Sequence, residues 1–91
     1  MIKSIWKHEI NIVDFQYVDM PLGAKILTVQ LQEKGICLWA LVDPEAPCVL
    51  RRIELYGTGH SIEFGQLVER KYIGTVQTYS GAYVWHAFEV V

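Results

Sequence analysis

A surplus of positive charge is missing from this chain: eight lysines and arginines stand against ten aspartates and glutamates. Duplex DNA binding requires clustered cations to neutralise phosphates, so that class of function is disfavoured. A single small anion needs only two or three positive groups and some backbone N–H donors, and that possibility stays open. Cysteine is scarce. Cys37 and Cys48 lie in or beside apolar runs with no metal-type spacing, and they read as small hydrophobes rather than as a disulfide. No stretch approaches the ~20 apolar residues that span a bilayer, and "MIKSIWKHEI" has no long apolar leader, so a soluble, unexported protein without a membrane partner is expected. Nor does any segment sustain the i, i+3, i+4, i+7 spacing of an amphipathic helix.

Apolar and aromatic residues are present in excess instead: 52% of the 91 residues are hydrophobic, with three Trp, five Tyr and three Phe. The length suits one domain over residues 1–91, and a domain this small buries only roughly 60 to 70% of its surface. So much apolar side chain therefore implies a dense aromatic core, or a face covered by another chain, and a homo-oligomer is expected.

Period-two alternation of β-branched and aromatic residues runs through nearly the whole chain, the mark of an all-β fold. "KSIWKHEI" sets Trp6, His8 and Ile10 on one face, opposite Ile5, Lys7 and Glu9. "FQYVDM" is a second strand, ended by Pro21 and the turn at Gly23. "AKILTVQLQ" and "ICLWALVD" follow, joined at "EKG". The second of these is apolar on both faces until Asp43, which places it in the middle of a sheet, covered on both sides. After "PEAP", "CVLRRIELYG" alternates Val49, Arg51, Ile53 and Leu55 against Leu50, Arg52, Glu54 and Tyr56, so one arginine must share a side with the apolar set. "SIEFGQLVER" fits a loop, an edge strand or one helical turn. "KYIGTVQTY" and "AYVWHAFEVV" close the chain as a hairpin at "SGA", with Val84, His86, Phe88 and Val90 sharing a face. About seven mostly antiparallel strands at this spacing predict a small sandwich or a partly open barrel.

The segments "SIWKHEI", "MPLGAKILTVQLQ", "LWALVDPEAP", "YGTGH", "YIGTVQ" and "YVWHAFEV", in this order, resemble a family of small proteins encoded by phages and prophages. The resemblance covers nearly the whole chain; Glu63–Arg70 and the two cysteines carry none of it. It implies a setting, the cytoplasm of a bacterial host during infection or lysogeny, and a mode of action by binding a host protein or small molecule. It implies no particular reaction or cofactor.

Among candidate sites, "YGTGH" offers two glycines whose backbone amides can converge on an anion. It lacks the further residues of either nucleotide-binding glycine signature, and the favoured reading is a glycine turn leaving the strand, with Thr58 bonding its own backbone. Arg51 and Arg52 bring planar forks suited to phosphate or carboxylate, but alternation sends them to opposite faces, so at most one joins a given pocket. Arg70 or Lys71 are candidate companions, with Tyr56 or Trp39 as a stacking surface. The competing assignment for the arginines is pairing with Glu9, Glu54 or Glu69. His8, His60 and His86 lack short ligand spacing, and Ser61 beside His60 points away from it in an extended chain, so no metal, cofactor or catalytic set is expected. The expected function is non-catalytic: an antagonist of bacterial anti-phage defence that sequesters a nucleotide-type signal or occludes a host defence protein. Its ligand site would comprise Tyr56, Gly57, Thr58, Gly59, His60, Arg51, Arg52 and Trp39. The alternatives are a small metal-dependent or hydrolytic enzyme using the histidines, and a minor virion component.

Overall fold

The structure, a computed structural model, describes residues 1–91. Seven strands follow one another: β1 (Ser4–Ile10), β2 (Phe15–Pro21), β3 (Lys25–Gln32), β4 (Gly35–Val42), β5 (Cys48–Gly57), β6 (Arg70–Thr78) and β7 (Tyr83–Val90). They form two sheets packed face to face, one in the order β1-β4-β3 and the other in the order β2-β5-β7-β6. Every pairing between strands is antiparallel. Of the two architectures that alternation leaves open, sandwich and partly open barrel, two separate sheets packed face to face make the sandwich, and the strands do not close into a barrel.

Two hairpins arise where the turn signals lie, β3–β4 and β6–β7. The chain between β1 and β2 behaves differently: it crosses from one sheet to the other. The Gln16 side chain clamps that crossover, accepting from Asn11 N–H at 3.0 Å and donating to Asn11 C=O at 2.8 Å. At the β2–β3 corner the Ala24 N–H bonds back to Pro21 C=O, and Gly23 takes the positive φ that such a turn needs at its third position. The undecided segment after His60 is a loop closed by a single bridge, Gly65 to Val68.

Alternation decides what fills the space between the sheets. Ile36, Leu38, Ala40 and Val42 of β4 meet Ile53 and Leu55 of β5, with Ile10, Met20, Ala24, Val29, Val76 and Ala87 completing one buried cluster. Burying each of the larger side chains is worth about 1.5–3 kcal/mol. As expected, β4 is the central strand of its sheet; its other face, carrying Cys37, Trp39 and Leu41, is covered only by neighbouring side chains. Both cysteines are free. Trp6 lies on the inward side of β1 but, at the sheet edge, remains 37% exposed.

The sheets come closest along β3 and β6, where each strand has a bulge. Gly74 makes that approach possible, because a Cβ there would lie 2.9 Å from Val29 Cγ1. Arg51 shows how a charge shares a side with the core. From the rim it forms a two-pronged ion pair with Glu89 and donates to Ala24 C=O at 2.8 Å. Burial of two charges is tolerated when both are paired and hydrogen-bonded in this way.

Candidate site on the outer face of the four-stranded sheet

Strand register builds the outward surface of β2-β5-β7-β6 row by row. Tyr17, Arg52, Val90 and Arg70 lie side by side across the four strands. Phe15, Glu54, Phe88 and Tyr72 form the next row, and Tyr56, His86 and Thr75 the one after. Cross-strand neighbours on one face are within side-chain reach, so the rows interlock. Phe88 meets Tyr56 edge-on and Tyr72 at a tilt, with ring centroids 5.9 and 5.3 Å apart.

Glu54 is the hub. It points outward yet is only 4% exposed, because two arginines and a tyrosine close over it. Its Oε1 accepts from Arg70 Nε at 2.6 Å and from the Tyr56 hydroxyl at 2.8 Å. Its Oε2 accepts from Arg52 Nε and Nη2, each at 3.1 Å. Burial would raise the carboxyl pKa, but hydrogen bonds from Arg70, Tyr56 and Arg52 outweigh it and hold the group below its ordinary value. Burial and then the bond to Glu54 push the Tyr56 phenol upward. The guanidinium carbons also sit over aromatic rings: Arg52 lies 4.0 Å from the Phe15 centroid, and Arg70 lies 5.3 Å from Phe64 and 6.0 Å from Tyr56.

The "YGTGH" stretch wraps the end of β5. His60 N–H bonds to Gly57 C=O at 3.0 Å, and Gly59 takes a positive φ within this four-residue turn. Thr58 stays on the outer side, its hydroxyl 2.7 Å from His86 Nε2. His86 Nδ1 is 3.0 Å from the Thr75 hydroxyl, which bonds in turn to Tyr72. His60 folds to the other side, into space left by the side chain Gly57 lacks; a Cβ there would be 2.8 Å from the imidazole. Its Nδ1 accepts the Gly57 N–H at 3.1 Å, so that nitrogen carries no proton.

The eight residues expected to share one site are therefore divided. Arg52, Tyr56 and Thr58 belong to the outer face just described, and Gly57, Gly59 and His60 form the turn at its margin. Arg51 faces the other way, engaged with Glu89. Trp39 lies on the outside of the other sheet. Of the carboxylates named for the arginines, Glu54 is the one used; Arg70 joins it and Lys71 does not. The three histidines are not brought together: His8 is on the inward side of β1, His60 bonds its own turn, and His86 lies between two threonines. Tyr72, Phe88, Phe15 and Thr75 were missed in the sequence. Alternation puts Tyr72 with Arg70 and Phe88 with His86, but nothing local says that β6, β7 and β5 are neighbours.

Four cavities of 240 to 780 Å³ are lined by residues other than Arg52, Glu54 and Arg70, and one of them, 250 Å³, is bordered by Tyr72. The one beside the turn, 240 Å³, is bounded by Gly57, Thr58, His60, Tyr83 and Trp85. Compared with known proteins, residues 1–91 match the family model described as Domain of unknown function (DUF7352). No curated protein and no solved structure matches the chain.

Proposed function

The chain belongs to that family over its whole length, and from the geometry of its own residues we propose a non-catalytic binding protein that docks through the outer face of its four-stranded sheet. The observation that carries this reading is the pair of guanidiniums fixed on one buried carboxylate among exposed rings. Phe15, Tyr17, Tyr72 and Phe64 are all at least half exposed. Aromatic residues and arginines held in place before contact are the side chains that dominate binding energy at protein interfaces.

An open sheet face suits a macromolecular partner better than an enclosed small ligand, since small-molecule pockets usually run to roughly 300–1,000 Å³ and bury most of the ligand. The cavity beside the "YGTGH" turn falls below that range, and the two that fall within it, 390 and 780 Å³, have no arginine in their lining. Occlusion of a host protein is accordingly favoured over sequestration of a nucleotide-type signal. In the setting that the phage resemblance suggests, the partner is a bacterial defence protein, met in the host cytoplasm. Self-association is retained in the proposal for the apolar edge at Ile2, Ile5 and Trp6.

The test is phage challenge of bacteria carrying a panel of defence systems and expressing the protein. The wild type should restore infection against at least one system, and Phe15→Ala with Tyr72→Ala should abolish that effect while the protein stays folded. No restoration against any system counts against the reading. A second reading, hydrolysis, has one observation in its favour. Thr58, His86 and Thr75 stand in the order nucleophile, base and orienting group, at 2.7 and 3.0 Å. Hydrolysis of an activated ester that disappears in Thr58→Val and His86→Gln would favour it.

A further inference from the structure

We infer that the arginine cluster reads a carboxylate, an aspartate or glutamate side chain on the partner protein, seated against Arg52 and Arg70. This rests on the docking reading above and goes beyond it to the chemistry of the partner. Two guanidiniums share one carboxylate, so the cluster carries one uncompensated positive charge. Each guanidinium offers five N–H donors. Of the ten, five have partners: Arg52 bonds Glu54 twice and Tyr17 once, at 3.3 Å, while Arg70 bonds Glu54 and the Glu63 carbonyl. The remaining donors belong to planar groups already oriented by Glu54 and by the rings beneath them, so little ordering cost is left for binding; the Arg52 side chain is 32% exposed and makes the contact, while Arg70, 9% exposed, adds its charge from beneath.

Charge balance selects the occupant. A carboxylate brings the cluster to neutrality, whereas a phosphate, with about 1.5 to 2 negative charges, would leave an excess of negative charge beside the buried Glu54. A second copy across a two-fold axis would set like charge against like charge, since the same patch meets itself. The other acidic strand residue on this face, Asp19, stands opposite Leu50, outside the row that holds Arg52 and Arg70. Flanking the open donors, Phe15 is 50% and Phe64 66% exposed, which suits an acidic residue bordered by apolar ones.

The experiment titrates the full-length, isotopically labelled protein with three probes: a capped peptide alternating glutamate and leucine, its glutamine counterpart, and inorganic phosphate. Side-chain Nε–H signals of Arg52 and Arg70 are followed by NMR. The glutamate peptide should shift both signals, severalfold less at about 0.5 M salt than at about 0.05 M because exposed charges are screened. The glutamine peptide should leave them in place, and Arg52→Gln should remove the response while the remaining spectrum stays dispersed. Equal shifts with the glutamine peptide, larger shifts with phosphate, or no shift at all would overturn the inference. If the titration fails while Phe15→Ala and Tyr72→Ala still abolish rescue of infection, the carboxylate is wrong and the docking face stands. If neither responds, both fall.

Discussion

The outer face of the three-stranded sheet and that of the four-stranded sheet are built by the same alternation and meet the same solvent, yet they are furnished differently. On the first, Trp39 lies between Lys7 and Thr28 on a face that also carries Glu9, Lys25, Gln30 and Gln32, and the side-chain bond between strands is a single exposed one, Lys7 to Gln32 at 2.6 Å. On the second, the central rows are held side chain to side chain: four donors converge on Glu54, and a hydroxyl–imidazole chain runs from Thr58 to Tyr72. Solubility alone asks only for the first arrangement. A face whose rings and charges are fixed in advance spends conformational entropy during folding that would otherwise be lost on binding, and this asymmetry favours the four-stranded sheet as the proposed binding surface.

Removing one carboxylate from each face should have the largest and most unequal effects. Glu54→Ala should destabilise by about 2–3 kcal/mol, because it leaves two guanidiniums beside a buried vacancy. Glu9→Ala should cost less than about 0.5 kcal/mol, as surface substitutions do. Urea denaturation of both variants checks the difference, and equal costs would remove the distinction between the faces. Next in size is Gly74→Ala, at the junction that holds the two sheets together. Its Cβ would press on Val29, and overpacking of that kind typically costs about 1–3 kcal/mol, read as a lowered urea midpoint.

Acid should separate the two sheets as well. Glu54 is held below its ordinary value of 4.5, so its stabilising contribution is complete above that pH and is lost as pH falls through the depressed folded value. His8, on the inward side of the other sheet, is held below 6.5 mainly by burial, with a backbone contact to Asp19 partly opposing. Its contribution is present above pH 6.5 and is lost as pH falls through its own lowered value. The urea midpoint should therefore decline in two stages, with His8→Gln removing the first and Glu54→Gln the second. A single stage unaffected by Glu54→Gln would show that the cluster is not ionised as described.

Smaller effects are expected at the hairpin tip and at one exposed ring. Tyr79, Ser80 and Gly81 are consecutive residues with positive φ, a conformation that side-chain-bearing residues enter at a cost. Ser80→Gly should raise stability by up to about 1 kcal/mol, visible as a higher melting temperature. Phe15→Ala should cost about 0.5–1 kcal/mol, the value of an exposed cation–π contact. It should nevertheless abolish rescue of infection, so that binding and stability part company on this face.

Much of this fold was legible in the chain. The alternation of "CVLRRIELYG" placed Arg52, Glu54 and Tyr56 on one side and Arg51, Ile53 and Leu55 on the other, and the strand runs over the same residues, Cys48–Gly57. The candidate site was only partly legible. Arg52 with Tyr56 was a readable pair on one strand, and Glu54 was named among the carboxylates for the arginines. Trp39 was grouped with them on residue type alone, and it lies on the other sheet. The glycines of "YGTGH" left a plain turn and an anion-touching turn both open; the turn is there, and the missing side chain of Gly57 makes room for the His60 ring.

What the sequence determined by itself is the strand class, most strand limits and the side of each strand on which a residue lies. Those properties follow from a two-residue period and from turn residues acting over a few positions. Only the tertiary structure decided that β1 leaves β2 for β4, that β7 inserts between β5 and β6, and that Arg70 therefore reaches the carboxylate of Glu54. The physical reason is range: side-chain alternation is local, while strand partnership is set by which apolar faces can be buried together across the whole chain.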